Sequence, residues 1–218
     1  MDHYYLSAIV LDFGKLIKWI PTFIDGTIVT IVLSLMTVFL GSIIGLFATL
    51  LKQSPNKFFK AIAAVYTQVV RGTPLLVQLY IWLYGLPLIG VTLPALPFLG
   101  DVYGSREFLT AVVALSINSG AYICELLRGG LEAIDKGQME ASRSLGLSYR
   151  KVMRYIIMPQ GIRNVMPALG NEFITLIKET SAGAYIGIME LTKASDIIAS
   201  RTYDYFFPLI IIALIYLV

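Results

Sequence analysis

The sequence is short of the residues that most soluble chemistry relies on. Of its 218 residues only 14% are charged, and it holds one cysteine, one histidine and two tryptophans. A soluble domain carries about 25% charged residues, so too few remain here to cover a water-facing surface. The single Cys124 excludes a disulfide framework, a Cys-rich metal site and a redox pair. The single His3 lies near the N-terminal end and argues against a His-based metal site. Seventeen basic against fourteen acidic residues leave +3, too weak a bias for a nucleic-acid surface. What is abundant is apolar: 57% of residues are hydrophobic and the mean hydropathy is +0.76, the reverse of a disordered chain. The composition is that of an integral membrane protein.

A spanning helix needs about 20 mostly apolar residues. The first candidate runs from Gly26 to Leu51 without a charge, with Asp25 and Thr27 as cap-type residues at its start. The second lies between Ala61 and Gly90, interrupted by Arg71-Gly72-Thr73-Pro74, and the third from Phe108 to Leu127. The fourth, Gly161 to Ile177, is weakened by Asn171 and Glu172. The fifth starts near Tyr203; residues 206–218 are uncharged but fall short of a full span, so either it begins at Tyr203 or the chain continues past Val218. The N-terminus lacks the basic region of a signal peptide. Residues 4–20 read as an amphipathic helix at a membrane face, stopped by Pro21, which divides the chain into an N-terminal segment, 1–25, and a transmembrane domain, 26–218. Basic residues in short loops mark the cytoplasmic side. Lys52, Lys57 and Lys60 follow span one, and Arg128, Lys136, Arg143, Arg150, Lys151 and Arg154 lie between spans three and four. The expectation is an all-α integral membrane fold of five transmembrane helices, N-terminus outside and C-terminus inside. Lys15 and Lys18 pull weakly the other way.

The cytoplasmic segment 135–159 reads as two short helices with a corner. The first covers about 137–145, Gly146 is suited to positive φ after it, Ser148 can cap the second, and Pro159 marks its end or a bend. Leu145, Leu147, Val152 and Ile156 supply an apolar side. On local physics this is a surface hairpin anchoring two spans.

The spacing says more. Glu140-Ala141-Ser142, then Gly146, then Ile156-Ile157-Met158-Pro159 resembles the EAA motif of ABC importer permeases, with Ser142 for an alanine and Met158 for a leucine. Arg71-Gly72-Thr73-Pro74-Leu75-Leu76-Val77-Gln78 resembles the polar amino acid branch of that family, as does Asn118-Ser119-Gly120-Ala121-Tyr122 with Glu125, Arg128-Gly129-Gly130 and Gly137-Gln138. The resemblance implies a type I importer-like permease in a bacterial cytoplasmic membrane, partnered by two ABC ATPase subunits, a second permease (identical or closely homologous) and an extracytoplasmic amino-acid-binding protein. Lipid, not nucleic acid, is its surroundings. It also implies that Gly137, Glu140, Ala141, Ser142, Gly146 and Pro159 form the coupling segment that docks on the ATPase. Small residues allow close approach there, and Glu140 can pair with a basic residue of the partner.

Ionisable residues inside a span are costly and are functional candidates by default. At about 1.5 Å per residue, Glu172 falls roughly 16 Å into the fourth span, about mid-bilayer, and Asn118 lies at a similar depth in the third. A zwitterionic amino acid needs a cation or N–H groups for its carboxylate, and an anion or carbonyls for its ammonium. Arg71 with Thr73 can supply the first; Glu172 with Asn118 can supply the second, and Tyr122 and Thr175 complete the candidate set. Three competing readings stand beside it: a direct Arg71–Glu172 ion pair closing the empty pathway, Arg71 snorkelling to the cytoplasmic edge, and an interhelical contact that only holds the bundle. Glu125 and Arg128 are i,i+3 partners and read as a local pair.

No Gly-x-x-x-x-Gly-Lys-Ser/Thr sequence occurs, so ATP with its Mg belongs on a partner and this chain itself is expected to carry no cofactor, no metal and no catalytic residue. The function expected is a transport subunit for polar amino acids. Glu172 favours arginine, lysine or histidine, while glutamine transporters of this kind share the same motifs. The alternative is an ion-gradient-driven secondary transporter or channel, which would leave the EAA-like loop without a role. A membrane enzyme fits worst, for want of a nucleophile–base pair or a metal cluster.

Overall fold

The first apolar run folds as a single helix, α1 (Phe13–Lys52). The computed structural model describes residues 13–217, and the regular structure there is entirely helical. With 40 residues α1 reaches about 60 Å, roughly twice a bilayer core. It passes Pro21 without a break, where a stop was expected. A proline removes one backbone bond and crowds one carbonyl, and a helix this long carries that local loss. Asp25, expected at the start of a helix, is therefore an exposed residue inside α1. Residues 4–12 of the expected amphipathic segment lie outside the described residues.

Helix α2 (Lys57–Arg71) opens where the Asn56 side chain accepts from the Phe58 N–H. It stops at Arg71-Gly72-Thr73-Pro74, and α3 (Leu75–Tyr80) leaves in a new direction, continuing through a π turn (Ile81–Gly85) and a 3-10 turn (Leu86–Ile89). The two arms are bent by 106°. The interruption read from the sequence is thus a sharp turn.

Helix α4 (Arg106–Glu132), capped by the Ser105 hydroxyl, is the central element, burying Phe108, Ala111, Ala114, Leu115, Ala121, Ile123 and Cys124. It lies unusually close to α1, because both helices present small residues at their crossing. A Cβ on Gly45 would sit 2.7 Å from Ile123 Cγ2 and 2.9 Å from the Gly120 carbonyl. One on Gly120 would sit 2.7 Å from Ile44 Cγ2 and 2.9 Å from the Tyr66 hydroxyl. Small residues four apart let backbones approach where lipid offers no hydrophobic drive for association.

After α4 come α5 (Lys136–Ser144) and α6 (Tyr149–Val152), joined through Gly146 at φ +84°. The corner is as expected; the expectation for Pro159 is not. A π turn (Met153–Ile157) joins α6 to α7 (Met158–Glu179) without a break in helical backbone, and Pro159, which has no N–H to give the preceding turn, stands just after it, where the bonding changes register. Single π turns of this kind absorb register changes in otherwise α-helical segments.

A 3-10 stretch (Thr180–Ile186) leads to α8 (Leu191–Thr202) and α9 (Phe206–Leu217). Helix α8 was not foreseen. Its cap, Glu190, is completely buried and accepts from the N–H groups of Thr192 (2.9 Å) and Lys193 (2.7 Å) and from the Tyr216 hydroxyl (3.1 Å). The Leu191 N–H donates to Thr30 Oγ1, so this cap ties α8 to both α1 and α9. Tyr203 takes a left-handed φ of 56° and Asp204 caps α9, so the last apolar helix begins at Phe206, not at Tyr203.

Among the described residues two helical segments, Ile17–Lys52 and Arg106–Glu132, are long and apolar enough to cross a membrane, and the bent pair from Lys57 to Ile89 makes a third if taken as one broken span. The expected fourth and fifth spans correspond to α7, which carries polar residues on its exposed face, and α9, which has 12 residues.

The crossing makes a counter-intuitive prediction. Glycine to alanine inside a helix ordinarily gains about 1 kcal/mol. At Gly45 the methyl has nowhere to go, and overpacking should outweigh that gain, for a net loss of about 1–3 kcal/mol. Thermal unfolding of Gly45→Ala in detergent measures the sign, and a raised melting temperature would contradict the packing described.

Candidate functional site

One turn of α4 gathers most of the polar residues singled out in the sequence. Its residues point in different directions, and each meets a different element.

Asn118 is 3% exposed and faces the break between α2 and α3. In an uninterrupted helix the N–H of residue 74 would serve the Val70 carbonyl, but residue 74 is proline and has none. The side chain of Gln78 takes its place. Gln78 Nε2 lies 2.7 Å from Val70 O, 2.9 Å from Thr73 Oγ1 and 3.1 Å from Thr73 O. The Thr73 hydroxyl in turn donates to Val69 O at 3.0 Å. Asn118 Nδ2 donates to Gln78 Oε1 at 3.1 Å, so α4 holds the amide that holds the break.

Tyr122, one turn along, lies beneath Arg71, whose guanidinium carbon is 5.1 Å from the ring centroid. Such stacking orients a guanidinium without neutralising it. Among the described residues no carboxylate lies within salt-bridge distance of Arg71, so the direct Arg71–Glu172 pair weighed above is not formed. Glu172, partly buried on α7, instead accepts from Ser119 Oγ at 3.3 Å. Thr73 and Thr175 are both exposed, and the Thr175 hydroxyl donates to Asn171 O within its own helix. Asn164, Asn171, Thr175 and Lys178 are all exposed along α7.

Beside this turn opens a cavity of about 1160 Å³, reaching from Arg71 and Tyr122 to Tyr149, Met153 and Ile157 of α6 and the π turn after it. Its wall carries an ionic cluster. Lys52, the last residue of α1, pairs with Glu125 of α4 and donates to Thr67 of α2 at 3.1 Å. Arg128 bonds Glu125 at 2.8 Å and also pairs with Glu132. The pair read from the sequence, Glu125–Arg128, is present, but it belongs to a larger cluster joining the ends of three helices. With Lys60 and Arg71 also lining the cavity, cations there outnumber carboxylates.

The hairpin beyond the cavity displays Gly137, Glu140 and Ala141 on the surface, and Pro159 is exposed as well. Ser142 is turned inward, 7% exposed, with its hydroxyl donating to Gln138 O. Leu145, expected on the apolar inner side, is 83% exposed at the corner, next to exposed Tyr149. Val152 is buried on the inner side as expected, Leu147 and Ile156 are half-buried, and Ile157 joins them. Among the described residues no group of three His, Cys, Asp or Glu side chains could hold a metal ion.

Three participants were missed in the sequence. Gln78 sits in the apolar run LLVQLY, and a lone amide there is a signal of a buried polar partner. Lys52 was read only as a loop charge. Gly41 and Gly45 form a Gly-x-x-x-Gly pattern that marks close helix contact.

The family described as "Binding-protein-dependent transport system inner membrane component" matches residues 38–218. The chain is 41% identical to the arginine transport system permease protein ArtQ of Bacillus subtilis over 209 residues, 95% of this chain and 90% of that protein. It is 38% identical to a candidate glutamine transport system permease protein, GlnP, of Rickettsia bellii, covering 94% of this chain and 90% of that one. Among solved structures, an amino acid ABC transporter crystallised with histidines superposes with a TM-score of 0.86 at 45% identity, covering 96% of this chain and 92% of that one. The MetNI methionine ABC transporter, at 18% identity and TM-score 0.68 over 90% of each chain, shares the fold.

The ionic cluster can be measured as a coupling. A double-mutant cycle on Lys52→Met and Glu125→Gln, read by thermal unfolding in detergent, should return an interaction of about 1–3 kcal/mol. Strictly additive losses would show that the two helix ends are not held through this pair.

Proposed function

The chain belongs to the family of binding-protein-dependent transport system inner membrane components, and on that premise we propose that it is the membrane-embedded subunit of an ABC importer that carries polar amino acids into a bacterial cell. The observation that carries this reading is a cation and an anion held unpaired on one turn of α4, beside a cavity that runs from Arg71 to Tyr149 of the EAA-spaced segment. Arg71 stacks on Tyr122 and Glu172 bonds Ser119, so cation and anion are both held on one turn of α4, three residues apart, and remain unpaired with each other. A zwitterion meets both needs: its carboxylate goes to Arg71 and Thr73, its ammonium to Glu172 and the Asn118 carbonyl. A basic side chain also finds Glu172, which supports arginine-like substrates; the names of the relatives above speak for arginine and glutamine alike.

In this reading the chain crosses the membrane five times, with α7 and α9 as the fourth and fifth crossings, its N-terminus outside and its C-terminus inside. A crossing helix with Asn171, Thr175 and Lys178 on its exposed face is poorly suited to lipid. That face is suited to lining a pathway shared with a second permease, identical or homologous. The chain itself contributes no nucleotide site. Two ATPase subunits supply the energy, with ATP and Mg on them, and an extracytoplasmic binding protein delivers the amino acid. The coupling segment 137–159 meets the ATPase through Gly137, Glu140 and Ala141 and the exposed Leu145–Tyr149 corner. Gly146 sets the corner, Ser142 braces the helix from inside, and the π turn before Pro159 passes movement into α7. Movement of the segment has a route to Arg71 and Tyr122, which line the same cavity as Tyr149, Met153 and Ile157.

Uptake by the reconstituted complex, with its ATPase and binding protein in vesicles, tests the reading. Labelled arginine or glutamine should accumulate only with ATP; accumulation without nucleotide that an ionophore abolishes would favour an ion-driven transporter. Glu172→Gln removes an ionic acceptor and should lower arginine uptake by about tenfold or more, with a smaller effect on glutamine. Equal uptake by the variant would remove Glu172 from the site. Glu140→Arg should leave the permease folded but strip substrate-dependent ATP hydrolysis from the complex, and unchanged coupling would remove Glu140 from the docking surface.

A further inference from the structure

The residues nominated as ligands do not position themselves. Arg71 and Thr73 sit on a break that ordinary helix geometry would not hold open, and Asn118 carries an amide that could face either way. All three depend on Gln78, which no part of the functional reading above employs.

The dependence follows from counting donors and acceptors. Gln78 Nε2 has two N–H groups, and its neighbours Val70 O, Thr73 O and Thr73 Oγ1 provide the acceptors. Val70 O and Thr73 O are carbonyls and can only accept, so the nitrogen of the Gln78 amide must face the break and its oxygen must face away. Oε1 therefore points to Asn118, which must answer with Nδ2. The Asn118 carbonyl oxygen is then the part turned from the pair, and among the described residues it accepts no hydrogen bond. The proline at position 74 thus dictates, through one glutamine, that α4 presents an acceptor and not a donor at this point. An acceptor there suits ammonium, guanidinium or amide N–H groups and disfavours a carboxylate. Burial keeps the arrangement in place: Gln78 is 9% exposed and Asn118 3%, so flipping either amide would break its bonds to the neighbouring helix with little water to replace them.

We propose that Gln78 is the positioning residue of the amino acid site: it fixes the angle at which Arg71 and Thr73 meet α4, and it sets the Asn118 amide so that its oxygen faces the substrate's N–H groups. This rests on the functional reading above for the identity of the substrate, while the geometry of the break can be tested without it.

Two measurements decide it. In the first, spin labels on exposed Val65 and Val77, either side of the break, report the inter-arm distance by pulsed electron resonance. Gln78→Met keeps the length of the side chain but lacks its N–H groups, and it should broaden or shift the distance distribution. A distribution unchanged from the parent would overturn the proposal whatever the protein transports. The second is uptake by the reconstituted complex, with labelled L-arginine and L-glutamine as probes. Gln78→Met should raise the half-saturating concentration about tenfold or more while the maximal rate falls much less, as expected for misplaced ligands. Asn118→Ala should do likewise, and the double variant should be no worse than the poorer single one, because each acts through the other. A fall in maximal rate at unchanged half-saturation, or additive losses, would reduce Gln78 to a structural residue. Failure of the parent complex to take up either probe is read before any variant and counts against the functional reading alone, leaving the distance measurement to decide the positioning role.

Discussion

The structure depends on one turn of α4 having to satisfy four neighbours at once. Asn118 bonds Gln78 of α3, Ser119 bonds Glu172 of α7, Gly120 lies against Ile44 of α1, and Tyr122 lies under Arg71 of α2. Helical geometry turns successive side chains by about 100°, so consecutive residues can face separate partners only if the helix is enclosed on all sides. That enclosure is possible because Gly120 lets α1 approach to backbone contact. A larger residue there would push α1 outward and loosen the grip of α4 on the other helices.

The same turn explains how charge is tolerated in so apolar a chain. Arg71 spreads its charge against an aromatic face, and Glu172 retains a hydroxyl donor. Neither is neutralised by a direct ion pair, which would hold both in place and remove them from use. The pairing that does occur is at the end of the bundle, where Lys52, Glu125, Arg128 and Glu132 tie α1 and α4 together. The paired cluster and the unpaired Arg71 thus stand apart, and the cavity runs between them.

Much of the site was legible. The break at Arg71–Pro74 follows from a proline's missing N–H, and the corner at Gly146 from the need for positive φ. These are local effects, decided within a few residues. What escaped the reading was non-local. Nothing in the local sequence marks Glu190, yet it is a completely buried cap between α1, α8 and α9. Pro21 looked like a stop and Pro159 like an end or a bend, but the helix continues through both, at Pro159 with a π turn just before it. Leu145 looked like part of an inner face and stands exposed, because the corner turns it outward.

By itself, the sequence determined that this is an apolar helical protein, where its second apolar run breaks, and, through ordered motifs, which family it belongs to. Composition and spacing suffice for these, since each depends on residue type and local backbone chemistry. Only the tertiary structure decided that Arg71 stacks on an aromatic ring and leaves Glu172 unpaired, and that Gln78 and Asn118 hold the break between them. Those outcomes turn on which faces meet when α1, α2, α3 and α7 close around α4, and contacts across 40 or more residues of chain leave no trace in a local pattern.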